Sequence, residues 1–269
     1  MPHAEVNGQR LYYEIDGEGE PLLLVMGLAA DRLAWALQIP DWSKRFQVIS
    51  FDNRDVGQSS YAEGQYEVVD MARDALALAD HLELDSFHLV GVSMGGAIAQ
   101  EIALAAAERI RTLTLCVTWG GSGPWGEELS RIWGPQAMRS SREEHIDHLM
   151  LRCFSEGFYE NRDGVAFMRN MMLANPHPQA PEAFVRQLDA SGRHETRDRL
   201  AQLSMPVHVI GAEHDVLVPV WKSIELSELI PGATLTIIER AAHGLQLERA
   251  EEFNRIVTDF IAAQVAEAA

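Results

Sequence analysis

Short apolar runs of β type recur along the chain, with stretches of helical spacing between them. Leu11 to Ile15 reads as part of an opening hairpin. Leu22 to Met26, Gln47 to Phe51, Phe87 to Val90, Leu113 to Val117, Val207 to Ile210 and Thr234 to Ile238 then read as strands. Between Gln47 to Phe51 and Phe87 to Val90, Asp70 to Leu84 places Met71, Ala75, Leu76, Ala79 and Leu82 at helical intervals, which predicts a crossover helix. Met94 to Ala107, rich in Ala and Leu, and Ala250 to Val265 predict two more. Near-continuous apolar strands alternating with helices predict an α/β fold, a mostly parallel central sheet covered by helices on both faces.

The alternation lapses between residues 121 and 203. That segment has no convincing strand and gathers Trp125, Trp133, Met138, Met150, Phe154, Phe158, Phe167, Met168, Met171 and Met172. It predicts an inserted helical cap over a core made of residues 1–120 and 204–269. Most of these side chains are expected to pack the cap against itself, and as a group they imply an apolar roof.

Composition narrows the partners. The 269 residues are 47% hydrophobic and 23% charged, as in a globular protein with material for a core. The formal charge of −18 repels phosphate backbones and anionic lipid, so neither nucleic acid nor membrane is expected as a partner. Two cysteines, Cys116 and Cys153, form no C-x-x-C pair and are expected as buried free thiols. The opening residues have neither a basic nor an apolar leader region, and no stretch has the length of a membrane span, so a cytoplasmic location is expected. A homodimer is compatible with these features.

The chemistry concentrates at three points. Gly91-Val92-Ser93-Met94-Gly95-Gly96 sits directly after the strand Phe87 to Val90 and before the Ala-rich helix. A sharp strand-to-helix turn there needs small neighbours, raises the Ser93 hydroxyl at the carboxyl end of a central strand, and aims the Met94 N–H at a developing oxyanion. A serine hydroxyl needs a base and an orienting acid. Asp215 lies in the loop after Val207 to Ile210, with Glu213 as rival acid. His243, in Ala241-Ala242-His243-Gly244, follows the last strand at the same sheet edge and is preferred among the ten histidines, with His214 next. A second oxyanion donor is expected from the loop Val25 to Asp31, assigned to the Leu28 N–H, with Gly27 allowing close backbone approach to the reacting carbonyl. Trp119, Leu217, Trp125, Trp133 and Phe158 are the expected substrate-binding side chains, with Trp119 the first choice.

Other sites fare less well. His145 and His148 beside Glu143, Glu144 and Asp147 resemble an ordinary charged helix face more than a metal site, so no metal is expected. Gly120 to Gly123 lacks the lysine of a phosphate loop, and no G-x-G-x-x-G follows a strand, so no cofactor is expected.

With these residues in place, the chain resembles the α/β-hydrolase-fold ester and lactone hydrolases over nearly its whole length. Val6-Asn7-Gly8 with Tyr12-Tyr13, Asp31 with Trp35, and Phe51-Asp52-Asn53-Arg54-Asp55-Val56-Gly57-Gln58-Ser59 are similar to 3-oxoadipate enol-lactonases and aclacinomycin-methylesterase-like members. Two departures stand out: Met26-Gly27 where many relatives have His-Gly, and Arg54-Asp55 where many have Arg-Gly. The resemblance implies hydrolysis of an uncharged or weakly polar carboxylic ester or lactone through an acyl-enzyme on Ser93. Carbon–carbon bond hydrolysis or perhydrolysis on the same residues, and a non-catalytic small-molecule receptor, are the alternatives.

Overall fold

The computed structural model describes residues 2–268. The chain opens with a hairpin of β1 (His3–Val6) and β2 (Gln9–Asp16), joined by Asn7-Gly8 with both residues at positive φ, 48° and 74°. That two-residue turn matches the right-handed twist of the flanking strands, and Asn and Gly are the residues that tolerate it. There follow β3 (Glu20–Val25), the one-turn α1 (Ile39–Trp42), β4 (Phe46–Phe51), α2 (Val68–His81), β5 (Phe87–Val92), α3 (Met94–Ala105) and β6 (Ile110–Cys116). After a helical segment come β7 (Val207–Ala212), α8 (Trp221–Leu229), β8 (Thr234–Ile238), the short α9 (Leu245–Glu248) and α10 (Ala250–Ala268).

The eight strands form one sheet in the order β1-β2-β4-β3-β5-β6-β7-β8, with the β1–β2 and β2–β4 pairings antiparallel and every later pairing parallel. Every residue of β5 and β7 is buried, the reason these strands read as near-continuous apolar runs, interrupted by His88 and His208, rather than alternating ones. Side chains still alternate between faces. Leu23, Val25, Leu89, Leu113 and Val209 pack on one face against Met71, Ala75 and Leu78 of α2 and Ile98 and Ile102 of α3. Leu22, Leu24, Val48, Val90 and Ile210 pack on the other against Trp35, Trp42 and Phe253, Val257 and Ile261 of α10. Apolar burial on both faces is the main force holding the sheet between its helices.

The predicted elements are present with shifted ends. The crossover helix starts two residues earlier than its apolar spacing indicates, because Glu67 and Asp70 form a reciprocal capping box. It stops at His81, and Glu83 turns the chain at φ 54°. β6 starts at Ile110 rather than Leu113, since its ladder with β5 extends to the Phe87–Ile110 pair.

Between β6 and β7 lie α4 (Gly123–Ala137), α5 (Arg142–Cys153), α6 (Arg162–Ala174) and α7 (Pro181–Gly192). They carry two small cores of their own. Trp133, Ala137, Phe184 and Leu188 join α4 to α7, and Ile146, Met150 and Phe154 join α5 to Met168 and Met172 of α6. The first of these also packs on Leu28, Ala29 and Leu217 of the loops at the carboxyl edge of the sheet. No helix among the described residues is long and apolar enough to cross a membrane.

Candidate active site

The carboxyl edges of β5, β7 and β8 bring three side chains together. Ser93 follows β5 at φ 59° and ψ −124°, a conformation that non-glycine residues rarely hold and that is sustained by its surroundings. Two contacts enforce it: the Ser93 N–H donates to Cys116 O at 2.9 Å, and α3 presses against the sheet through glycines. A Cβ on Gly91 would lie 2.4 Å from Gly95 O, and one on Gly95 would lie 2.1 Å from Val25 O. Glycine is therefore required on both sides of the serine.

His243 Nε2 stands 2.9 Å from Ser93 Oγ, and His243 Nδ1 stands 2.7 Å from Asp215 Oδ2. The other carboxylate oxygen, Oδ1, accepts from the N–H groups of Leu217 and Val218, each at 2.8 Å. An ionised Asp215 can only accept, so Nδ1 carries the imidazole proton and Nε2 is left free to receive one from Ser93. The side chain of Asp215 is fully buried and that of His243 nearly so, which strengthens their interaction relative to water. The rivals face elsewhere. Glu213 accepts from the Arg240 N–H at 2.8 Å, and His214 is exposed beside it.

Leu28 and Met94, the expected oxyanion donors, sit on adjacent backbone. A Cβ on Gly27 would lie 2.9 Å from Ser93 Cβ and 3.3 Å from Met94 N, so Gly27 lets the loop after β3 close on the nucleophile elbow itself. With Met26 in place of a polar side chain, the loop is anchored by others: Asn53 Nδ2 donates to Met26 O at 2.8 Å and Asn175 Nδ2 to Asp31 Oδ2 at 2.6 Å.

A chamber of about 100 Å³ opens on Ser93 and His243. Leu28, Trp119, Trp125, Trp133 and Leu217 line it, together with Leu188 of α7 and Cys153 at the end of α5. Phe158 is not among its lining residues. It stacks on Phe154 with ring centres 4.2 Å apart and faces a separate surface groove beside His214, Arg240 and Glu248. Residues the sequence reading did not single out as site residues include Cys153 and Lys222, whose Nζ donates to Gly121 O at 2.6 Å. Burial pushes the Cys153 thiol up to about 12, leaving it protonated. Of the acidic and histidine cluster on α5, His145 packs edge-on to Phe184 at 4.8 Å and Asp147 pairs with Arg169.

The four-helix segment grips the catalytic loops at two places. At one, the Gly244 N–H, next to His243, donates to Cys153 O at 2.6 Å, and Glu248 accepts from the N–H groups of Ser155 and Ala242. At the other, Arg186 of α7 makes a bidentate pair with Asp55, at 2.8 and 2.7 Å, and its neighbour Gln187 reaches the backbone of Ala29 and Arg54. Asp55 sits at φ 72°, where glycine is the easy choice, and its carboxylate also accepts from the Ala62 N–H. The departure from Arg-Gly thus exchanges local backbone comfort for an ion pair to α7. Its only sequence signal was the departure itself.

The arrangement can transfer an acyl group from an ester-like carbonyl to a hydroxyl at a water-restricted edge. A family model described as alpha/beta hydrolase fold matches residues 20–143. An enol-lactonase of Burkholderia xenovorans LB400 superposes with a TM-score of 0.88 at 29% identity, covering 97% of this chain and 100% of that one. The chain is an α/β-hydrolase-fold protein. It is also 28% identical over 260 residues to "Putative carbamate hydrolase RutD" of Azorhizobium caulinodans, covering 97% of this chain and 98% of that protein. A third relative is the 2-hydroxymuconate semialdehyde hydrolase of Pseudomonas sp. strain CF600, 29% identical over 266 residues and covering 95% of this chain and 91% of that protein. The kinship of this α/β hydrolase is thus to the esterase, lactonase and carbon–carbon hydrolase kind.

Proposed function

We propose that this α/β hydrolase cleaves a small carboxylic ester or lactone through an acyl-enzyme on Ser93. The observation that carries the reading is the unbroken relay from Ser93 Oγ to His243 Nε2 and from His243 Nδ1 to Asp215 Oδ2, at 2.9 and 2.7 Å. In this reading His243 takes the Ser93 proton as Oγ attacks the carbonyl carbon, and Asp215 holds the imidazolium that forms. The N–H groups of Leu28 and Met94 receive the carbonyl oxygen as it becomes an oxyanion. His243 then returns the proton to the leaving alkoxide, which in a lactone stays tethered as the ring opens. Water, deprotonated by His243, releases the acid and restores Ser93. The small chamber with its Trp and Leu walls favours a short, uncharged acyl or ring group over an extended one.

The likeness to the 2-hydroxymuconate semialdehyde hydrolase supports a second reading, carbon–carbon cleavage of a vinylogous diketone by the same three residues. One experiment addresses both. Wild type and Ser93→Ala are treated with a fluorophosphonate probe, then assayed on p-nitrophenyl esters, lactones and a vinylogous diketone. Labelling and ester or lactone turnover in wild type alone support the first reading, and Ser93→Ala is expected to lose about three orders of magnitude or more. Diketone cleavage without ester or lactone turnover moves the assignment to the second. Ester cleavage by Ser93→Ala at the wild-type rate refutes the serine mechanism.

A further inference from the structure

We propose that Gln187, on α7 and outside the catalytic relay, is the positioning residue for the oxyanion donor at Leu28. The proposal rests on the acyl-enzyme reading above. The loop that carries Leu28 is strained, since Ala29 lies at φ 64° without being a glycine. Such a conformation stays in place only where its surroundings over-determine it. The loop therefore needs an external hold close to Leu28.

Gln187 supplies it. The Ala29 N–H donates to Gln187 Oε1 at 3.1 Å, which fixes the peptide that follows Leu28. On the other side, Asn53 holds the Met26 carbonyl at 2.8 Å. The Gly27–Leu28 peptide, whose N–H is the proposed donor, is thus suspended between two anchored peptides.

The Gln187 amide is itself held without slack. The residue has no solvent exposure. Its Oε1 accepts a second bond from Gln179 Nε2 at 2.9 Å, and its Nε2 donates to Arg54 O at 2.9 Å. Two donors face the oxygen and a carbonyl faces the nitrogen, so only one amide orientation satisfies the network. An amide buried in this way costs free energy unless all its bonds are made. The next residue, Leu188, lines the chamber, so α7 shapes the pocket and sets the oxyanion donor from consecutive positions.

The role predicts a loss in the transition state that ground-state binding does not share. Gln187→Met keeps the volume and removes both hydrogen-bonding functions. In a folded Gln187→Met protein, kcat on p-nitrophenyl acetate is expected to fall about tenfold to a hundredfold, with KM within about threefold of wild type. The second-order rate of fluorophosphonate labelling is expected to fall in parallel, because phosphonylation of Ser93 also places charge on the oxyanion oxygen. Should Gln187→Met fail to fold, Gln187→Asn withdraws the amide by one methylene and is held to the same criteria. A folded variant whose kcat and labelling rate stay within twofold of wild type overturns the proposal, as does a rise in KM at unchanged kcat. Failure of wild type to label at all would instead strike the acyl-enzyme reading, so the two failures are distinct.

Discussion

The ion pair between Asp55 and Arg186 should respond very differently to removal of its two partners. Asp55 has no exposed side-chain surface, whereas Arg186 retains 18%. Arg186→Met leaves the carboxylate buried, with the Ala62 N–H as a remaining donor. Breaking a buried pair from that side typically costs about 3–5 kcal/mol. Asp55→Gly removes the buried charge together with its partner's obligation, because the guanidinium can turn outward. It also relieves a left-handed backbone at φ 72°, which costs on the order of 1 kcal/mol for a non-glycine residue. Against this stand the lost pair and an unpaired Ala62 N–H, so the net loss is expected to be about 1–2 kcal/mol. For a chain of this size each kcal/mol moves Tm by roughly 2–4 °C. Arg186→Met is thus expected to melt on the order of 10 °C below wild type, Asp55→Gly about 5 °C below, and the double variant close to Asp55→Gly alone. Urea unfolding of the four proteins, compared at equal slope, gives the coupling directly. An Asp55→Gly loss equal to or greater than that of Arg186→Met, or a double-variant loss equal to the sum, would refute the assignment of the burden to the buried carboxylate.

Two further outcomes are expected. Gly95→Ala puts a methyl 2.1 Å from Val25 O, forcing α3 away from the end of β3, and should cost about 1–3 kcal/mol in urea unfolding while slowing Ser93 labelling. His208, buried on β7, has its pKa pushed down to about 4 by burial, so the native state refuses a proton that the unfolded chain accepts near the ordinary imidazole value. Its contribution is present above pH 6.5 and is lost as pH falls from there towards 4, up to about 3 kcal/mol. The difference in urea midpoint between wild type and His208→Gln should therefore change across that window. His194 acts in the same direction and Asp52, pushed up to about 6 by burial, in the opposite one, but both are common to the two proteins. A difference that is flat with pH would refute the role of His208.

The fold was legible where its signals are local. Buried parallel strands show as apolar runs, so β5 and β7 are visible from composition alone, and the Asn7-Gly8 turn marks the hairpin. Ser93 was legible because its backbone strain requires glycine at 91 and 95, which leaves a trace in the letters themselves. Asp215 and His243 were legible by their place after β7 and β8, since a parallel sheet puts all such loops at one edge. Helix ends were less so. The capping box at Glu67 and Asp70 lies outside the apolar repeat that announces α2, and a reading of hydrophobic spacing passes over it.

Legibility ends where the partners are far apart in sequence and the side chains are polar. Arg186 and Asp55 are 131 positions apart, and Gln187 and Ala29 are 158 apart. No periodicity records such a pairing, because each residue by itself is an ordinary charged or amide side chain. The aromatic positions of the helical segment show the same limit from another side. Trp133 and Phe158 are similar as letters, yet which of them reaches the chamber is decided by how α4 packs on α7 and α5 on α6. Trp133 stands on the helix that meets Leu28 and Leu217, and so it lines the chamber. Phe158 stands beyond the end of α5, where Phe154 claims its face. Which side chains reach the chamber is therefore decided by packing that composition does not record, and α7, seated through Phe184 and Leu188, turns Arg186 and Gln187 into the loops beside Ser93.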